Sequence, residues 1–156
     1  MFVYTWKFSK KKLTIAILAL VVLIAAILLI FSGGGEAKAA IALSGSARTA
    51  KDRVSLIRSL GWEIEEEPIE TQSVVIPTEF TGVYADYAKL QEDQGFNLAK
   101  YAGKEATRYT YKALNYPGVE DSVVIDIIVY RGKVIAGDVQ SVKLDGFMQG
   151  LAFPVS

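Results

Sequence analysis

The 156-residue chain contains no cysteine and no histidine. Without thiols there can be no disulfide, no thiolate nucleophile and no acylated lipoprotein anchor, and Cys/His zinc sites are closed. The missing imidazole also removes the side chain whose unperturbed pKa lies nearest neutrality, the usual general base. Any catalysis would have to use carboxylates, lysines, tyrosines or serines. There is no Gly-x-Ser-x-Gly elbow, and Gly33-Gly34-Gly35 is not a phosphate loop, because no strand feeds it and no Lys-Ser/Thr follows. No cofactor and no metal site is expected. Excess positive charge is lacking as well. After Lys12 the chain holds 13 basic and 17 acidic residues, a net charge of −4, whereas phosphate-backbone binding needs a basic patch. Nucleic acid is not an expected partner.

What the chain does have is a long apolar run. Residues 13–31 contain one polar residue, Thr14, and no charge. As a helix rising about 1.5 Å per residue they span roughly 28 Å, matching a hydrocarbon core of about 30 Å. Leu13, Ile17, Leu20, Leu23, Ile27 and Phe31 are the expected anchor residues, and the bilayer is the expected partner. Lys7, Lys10, Lys11 and Lys12 precede the run, so the positive-inside rule puts residues 1–12 in the cytoplasm. This predicts a single-pass cell-membrane protein: a basic N-terminus (1–12), a transmembrane helix (13–31), a Gly/Ala/Ser-rich flexible linker (32–45) and an exported domain (46–156). A cleaved signal peptide is the alternative, with Ala37-Lys38-Ala39 as the small-x-small site. The domain is exported on either reading.

Within 46–156 the periodicity predicts an α+β fold, two helices packed on an antiparallel sheet of about four to five strands. Ser46–Leu60 reads as a helix, with Val54, Ile57 and Leu60 inward, Gly61 as the stop, and Arg48, Lys51, Arg53 and Arg58 on a solvated face. Trp62 and Ile64 alternate with glutamates as an edge-like strand ended or bulged by Pro68, and Val74–Ile76 as a short extended piece. A second helix is expected to open at Thr78-Glu79-Phe80, with Phe80, Val83, Tyr84, Tyr87 and Leu90 as its apolar stripe and Gly95 as its stop. Tyr84 and Tyr87 are candidate binding residues, although a stripe at that spacing also serves as core. Glu105–Leu114 alternates as a strand. Val123–Tyr130 is the strongest strand, with Val123, Ile125, Ile127 and Val129 on one apolar face.

Arg131-Gly132 turns that strand into 133–142. A simple two-residue loop would place Asp138 opposite Ile125 and bury a carboxylate in the apolar face. A three-residue loop, Tyr130-Arg131-Gly132, pairs Ile127 with Ile135 and Ile125 with Gly137. That register puts Asp126 and Asp138 on the polar face as diagonal neighbours about 7–8 Å apart. Two such carboxylates, with Asp145 as a third candidate, could bind a cation or act as acid and base. The plainer expectation is that they pair with Arg108 and Lys112 on the polar face of a neighbouring strand. Leu144-Asp145-Gly146-Phe147-Met148 is expected to turn and drop Phe147 and Met148 on the core, or else to present them as an exposed anchor for a partner.

From Arg58 to Leu151 the chain resembles domain of unknown function family 4830, bacterial single-pass membrane proteins. The resemblance is carried by Gly61-Trp62-Glu63-Ile64, Val75-Ile76-Pro77-Thr78-Glu79-Phe80, Leu90-Gln91-Glu92-Asp93-Gln94-Gly95-Phe96, Val134-Ile135-Ala136-Gly137-Asp138-Val139 and Leu144-Asp145-Gly146-Phe147-Met148. It implies an anchored α+β domain without an assigned activity. In that family a cysteine often follows the Gly-Asp-Val step and a histidine the Gly-Phe-Met step. Here Gln140 and Gln149 stand there, so no catalytic role carries over at either position. The expected function is a non-catalytic peptide- or protein-recognition module at the outer membrane surface. A carboxylate-based hydrolase using Asp126, Asp138 and Asp145 is the alternative.

Overall fold

The computed structural model describes residues 43–154. The apolar run 13–31, expected to be an anchor, and the basic N-terminus lie outside them, and among the described residues no helix is long and apolar enough to cross a membrane.

The elements are α1 (Ala50–Ser59), β1 (Glu70–Val75), α2 (Val83–Asp93), a 3-10 turn (Leu98–Tyr101), β2 (Glu105–Lys112), β3 (Val123–Tyr130), β4 (Lys133–Ser141) and β5 (Met148–Gln149). The five strands form one antiparallel sheet in the order β1-β2-β3-β4-β5. The expected α+β architecture with two helices is therefore the observed one.

Alternation along β3 divides the core into two layers. Val123, Ile125, Ile127 and Val129 face one way and pack with Val54 and Ile57 of α1, Trp62, Tyr111, Val139 and Leu151. Leu43, in the segment read as a spacer, is also buried in this layer. Ile128 faces the other way and packs with Ile76, Leu98, Ile135 and Ala136, flanked by Tyr87 and Tyr101. One helix thus covers each face of the sheet.

α1 starts later than its apolar spacing suggests. Thr49 caps it: its hydroxyl accepts from the Asp52 amide at 3.1 Å while the Asp52 carboxylate accepts from the Thr49 amide at 3.2 Å. This reciprocal pair outcompetes a start at Ser46. Arg53, placed by spacing on the solvated face, is instead buried. Its guanidinium lies 3.8 Å from the Tyr109 ring centroid, and its Nε donates to the Tyr111 hydroxyl at 3.1 Å. A guanidinium can stack on a ring while its donors stay bonded, which makes its burial tolerable.

α2 begins at Val83 and not at Thr78, because Gly82 takes φ +55°, a left-handed step that no right-handed helix can contain. The delay rotates the buried face. Val83 and Tyr84 are exposed, whereas Gln91 and Gln94 are fully buried. Both glutamines bond the outer edge of β4. The Gly137 amide donates to Gln91 Oε1 at 2.9 Å, and Gln94 Nε2 donates to the Gly137 carbonyl at 3.0 Å. Side-chain amides thus do the work of a neighbouring strand where β5 is too short to reach.

The edge of the sheet after α1 also differs from expectation. Ile64 makes only an isolated bridge to Ala113, and the strand proper runs from Glu70 to Val75 on the far side of Pro68. Proline cannot donate to a ladder, so pairing is interrupted there.

The β3–β4 hairpin uses a two-residue loop. Arg131 and Gly132 have φ +48° and +77°, so Tyr130 pairs with Lys133 and Val129 with Val134. Turns with both residues left-handed match strand twist better than the three-residue loop expected from sequence. A bulge at Ile135 then restores the facing: Ile128 pairs with Ala136, Ile127 with Gly137 and Ile125 with Val139. Ile135 consequently enters the α2-side layer and does not pair with Ile127.

Gly137 has no room for a side chain. A Cβ there would lie 2.7 Å from the Asp126 carbonyl oxygen and 2.6 Å from Leu151 Cδ1. Gly137→Ala is expected to destabilise the domain by about 1–3 kcal/mol through overpacking, as measured by urea unfolding. An unchanged midpoint would contradict this close packing.

Candidate functional site

The revised register changes the acid pair. Asp126 and Asp138 are not diagonal but directly opposed, in a cross-strand row Thr110–Asp126–Asp138. Directly opposed residues have Cβ atoms about 4.5–5.5 Å apart. Both aspartates are buried, 4% and 3% exposed. Among the described residues neither pairs with a cation. Arg108 donates to Glu70 at 3.1 Å and Gln72 at 2.8 Å, and Lys112 pairs with Asp121 at 3.1 Å. The basic residues of β2 are thus drawn outward to carboxylates that remain hydrated, where pairing costs less desolvation.

Asp126 is well supplied with donors, the Thr110 hydroxyl and Gln140 Nε2, the latter at 3.0 Å. Burial raises its pKa, and these hydrogen bonds together with the charge of Arg108 partly offset the rise. Asp138 accepts at Oδ1 from the Tyr87 hydroxyl at 2.9 Å, and its Oδ2 has no partner. Burial, then the facing Asp126 charge, raises its pKa to about 7. Burial, with the charge of Asp138 beside it, also pushes the Tyr87 phenol well above its ordinary range. Burial raises both carboxyls; Asp126 has two donors that oppose the rise, whereas Asp138, raised to about 7, has one.

The pair forms part of the lining of a cleft of about 290 Å³ between α2 and the sheet. Tyr84 and Tyr87 come from α2, Arg108 from β2, Gln140 from β4, Met148 from β5, and Val74–Pro77 from the end of β1. Five residues singled out from sequence converge here: Asp126, Asp138, Tyr84, Tyr87 and Met148. Two do not. Asp145 is exposed on the 142–147 turn, and among the described residues no third acidic side chain joins the pair in a metal-binding group. Phe147 packs on the other layer, 4.8 Å from the Tyr116 ring. Phe147 lies against the α1-side layer and Met148 at the cleft, so the two do not share a role. Thr110 and Gln140 were not singled out for the site. Parity places both on the same face of the sheet as the aspartates, and Gln140 also stands where the resembled family often has a cysteine.

An α+β domain with a five-stranded antiparallel meander, one helix on each face and a buried carboxyl pair under the second helix is the class defined by this geometry. Residues 56–139, more than half of the chain, match the model for a domain of unknown function, DUF4830, and the chain belongs to that family. No curated protein and no solved structure matches it.

Proposed function

We propose that this chain is a membrane-anchored recognition module whose folded domain lies outside the cell membrane and binds an extended peptide segment of a partner without catalysis. The observation that carries the reading is the position of the cleft beside an open sheet edge. β1 ends the sheet, its residues are largely exposed, and Val75 at its end is 68% exposed and lines the cleft. Tyr84 and Met148, 55% and 51% exposed, stand at the same opening. An added strand would draw main-chain hydrogen bonds from β1 while a side chain enters the cleft. The apolar run at 13–31 after four lysines supports the anchored topology.

Two measurements test this. Titration with a panel of extended peptides should move the amide resonances of β1 and the side-chain resonances of Tyr84 and Met148. Shifts confined to other surfaces would defeat the reading. A C-terminal tag should be cleaved by protease added to intact, wall-stripped cells, and protection until lysis would reverse the topology.

A second reading, a carboxylate hydrolase, is favoured by the convergence of Asp126 with an Asp138 that titrates near neutrality, the arrangement of an acid and a base. It predicts turnover that Asp138→Asn abolishes, whereas a recognition module shows no turnover at any pH.

A further inference from the structure

We propose that the side chain taken by the cleft is a primary alkylammonium, the lysine of a bound peptide. The inference rests on the peptide-recognition reading and specifies its ligand. Two carboxyls face each other on the cleft floor without an ion-pair partner, and Asp138, 3% exposed, leaves Oδ2 with no donor. Arg108 cannot fill that role, because its charge is committed to Glu70 and Gln72 at the β1 side. An ammonium carries three donors and no acceptor, which answers an unfilled carboxylate. The walls suit the rest of a lysine. Ile76, Pro77 and Ile128 are apolar, Met148 is adaptable, and the rings of Tyr84 and Tyr87 accept a methylene stem or a cation at their faces. A volume of about 290 Å³ admits a four-carbon chain with its ammonium. Arg108 Nε, which also lacks a partner among the described residues, is left to donate to a backbone carbonyl of the same peptide.

Charge linkage makes the proposal testable. The groups facing Asp138 are Asp126 from β3, Tyr87 from α2 and Arg108 from β2, while the β5 residue lining the cleft, Met148, is uncharged. A cation binds the ionised carboxyl, so its affinity should rise with pH until Asp138 is deprotonated, near 7. A ligand that accepts a hydrogen bond from the neutral acid would show the opposite slope.

The full-length chain in detergent micelles is titrated with n-butylammonium, N-acetyl-lysine N-methylamide, and N-acetyl-norleucine N-methylamide, which lacks the ammonium, as an uncharged control. Tyr84 and Tyr87 ring signals and the Met148 methyl are followed by NMR between pH 5.5 and 8.5. The expected result is saturable binding of both ammonium probes and none of norleucine. Affinity should rise about tenfold per pH unit below 7 and level off above it. Asp138→Asn should weaken binding at least tenfold at pH 8 and abolish the pH slope. Asp126→Asn, whose fold is checked by the same spectra, should weaken it independently.

Norleucine binding as well as lysine, or affinity that rises on acidification, overturns the ammonium site even if β1 still takes peptides. No saturable shift with either ammonium probe at pH 8 also overturns it. If butylammonium binds as tightly as the lysine amide, and lysine peptides do not shift β1, the ammonium site stands but its source is a free amine. That outcome sinks the peptide reading alone.

Discussion

Trp62→Ala is expected to cost about 3–5 kcal/mol, a large fraction of the about 5–15 kcal/mol that holds a typical domain folded. Trp62 is 1% exposed at the junction of α1, the loop before β1, and the C-terminal segment. Its ring stacks on Tyr116 at 6.0 Å and meets the Phe153 edge at 4.7 Å. Its indole N–H donates to the Leu151 carbonyl at 2.7 Å. Truncation therefore opens a cavity and orphans a buried carbonyl together. Leu151 is fully buried above Gly137, so the loss also loosens the packing behind the cleft. Urea unfolding measured by circular dichroism checks the value, and a loss under 1 kcal/mol would show that the C-terminal segment is not held by this ring. Trp62→Phe should recover most of the packing but not the hydrogen bond.

Stability should also fall as pH rises from about 4 to 7, contrary to the usual behaviour of paired carboxylates. The Asp138 pKa is raised from 3.8 in the unfolded chain to about 7 in the fold. The folded state therefore holds a proton that the unfolded state has lost throughout that window. The stabilisation is complete below the unfolded value and is lost as pH climbs to the folded one. At about 1.4 kcal/mol per unit the change is on the order of 4 kcal/mol. Asp126 is raised as well and acts in the same direction. Asp52 is lowered by the capping box and acts in the opposite one, so the informative quantity is a difference between proteins. Asp138→Asn retains an oxygen to accept from Tyr87 and cannot ionise. It should match the parent near pH 4 and exceed it by a few kcal/mol at pH 8. A variant less stable than the parent at pH 8 would mean that the ionised carboxylate has an unrecognised cationic partner.

Much of this arrangement was legible along the chain. β3 runs from Val123 to Tyr130 as its alternation demanded, and its four odd-numbered residues form the layer against α1. The facing argument at the hairpin survived in part: Asp126 and Asp138 share one face, but Ile135, expected opposite Ile127, lies in the other layer. It survived by a different device. Parity constrains which face a residue takes, but from Ala136 onward a three-residue loop and a two-residue loop with one bulge satisfy parity equally. Local twist at Arg131-Gly132 favoured the second, and that moved the carboxyls from diagonal to opposed. The expected ion pairs of Arg108 and Lys112 with the aspartates failed for a reason no spacing reveals. Glu70 and Asp121 lie within reach of the same cations in better-hydrated positions.

The helical stripe of α2 misled more. Its apolar residues Val83 and Tyr84 are exposed, while two glutamines are buried. Periodicity reports only which residues prefer to leave water. It does not report that an edge strand needs donors and acceptors, which Gln91 and Gln94 supply to Gly137.

The chain alone therefore determined the fold class, the strongest strand, the two faces of the sheet and the absence of thiol and imidazole chemistry. Each depends on residue identity or on a repeat of two or 3.6 residues. Tertiary structure decided which carboxyls oppose each other, which cations abandon them and which helix covers them. Those outcomes depend on competition between partners far apart in sequence, and burial settles it by penalising any charge left without water or a counter-charge.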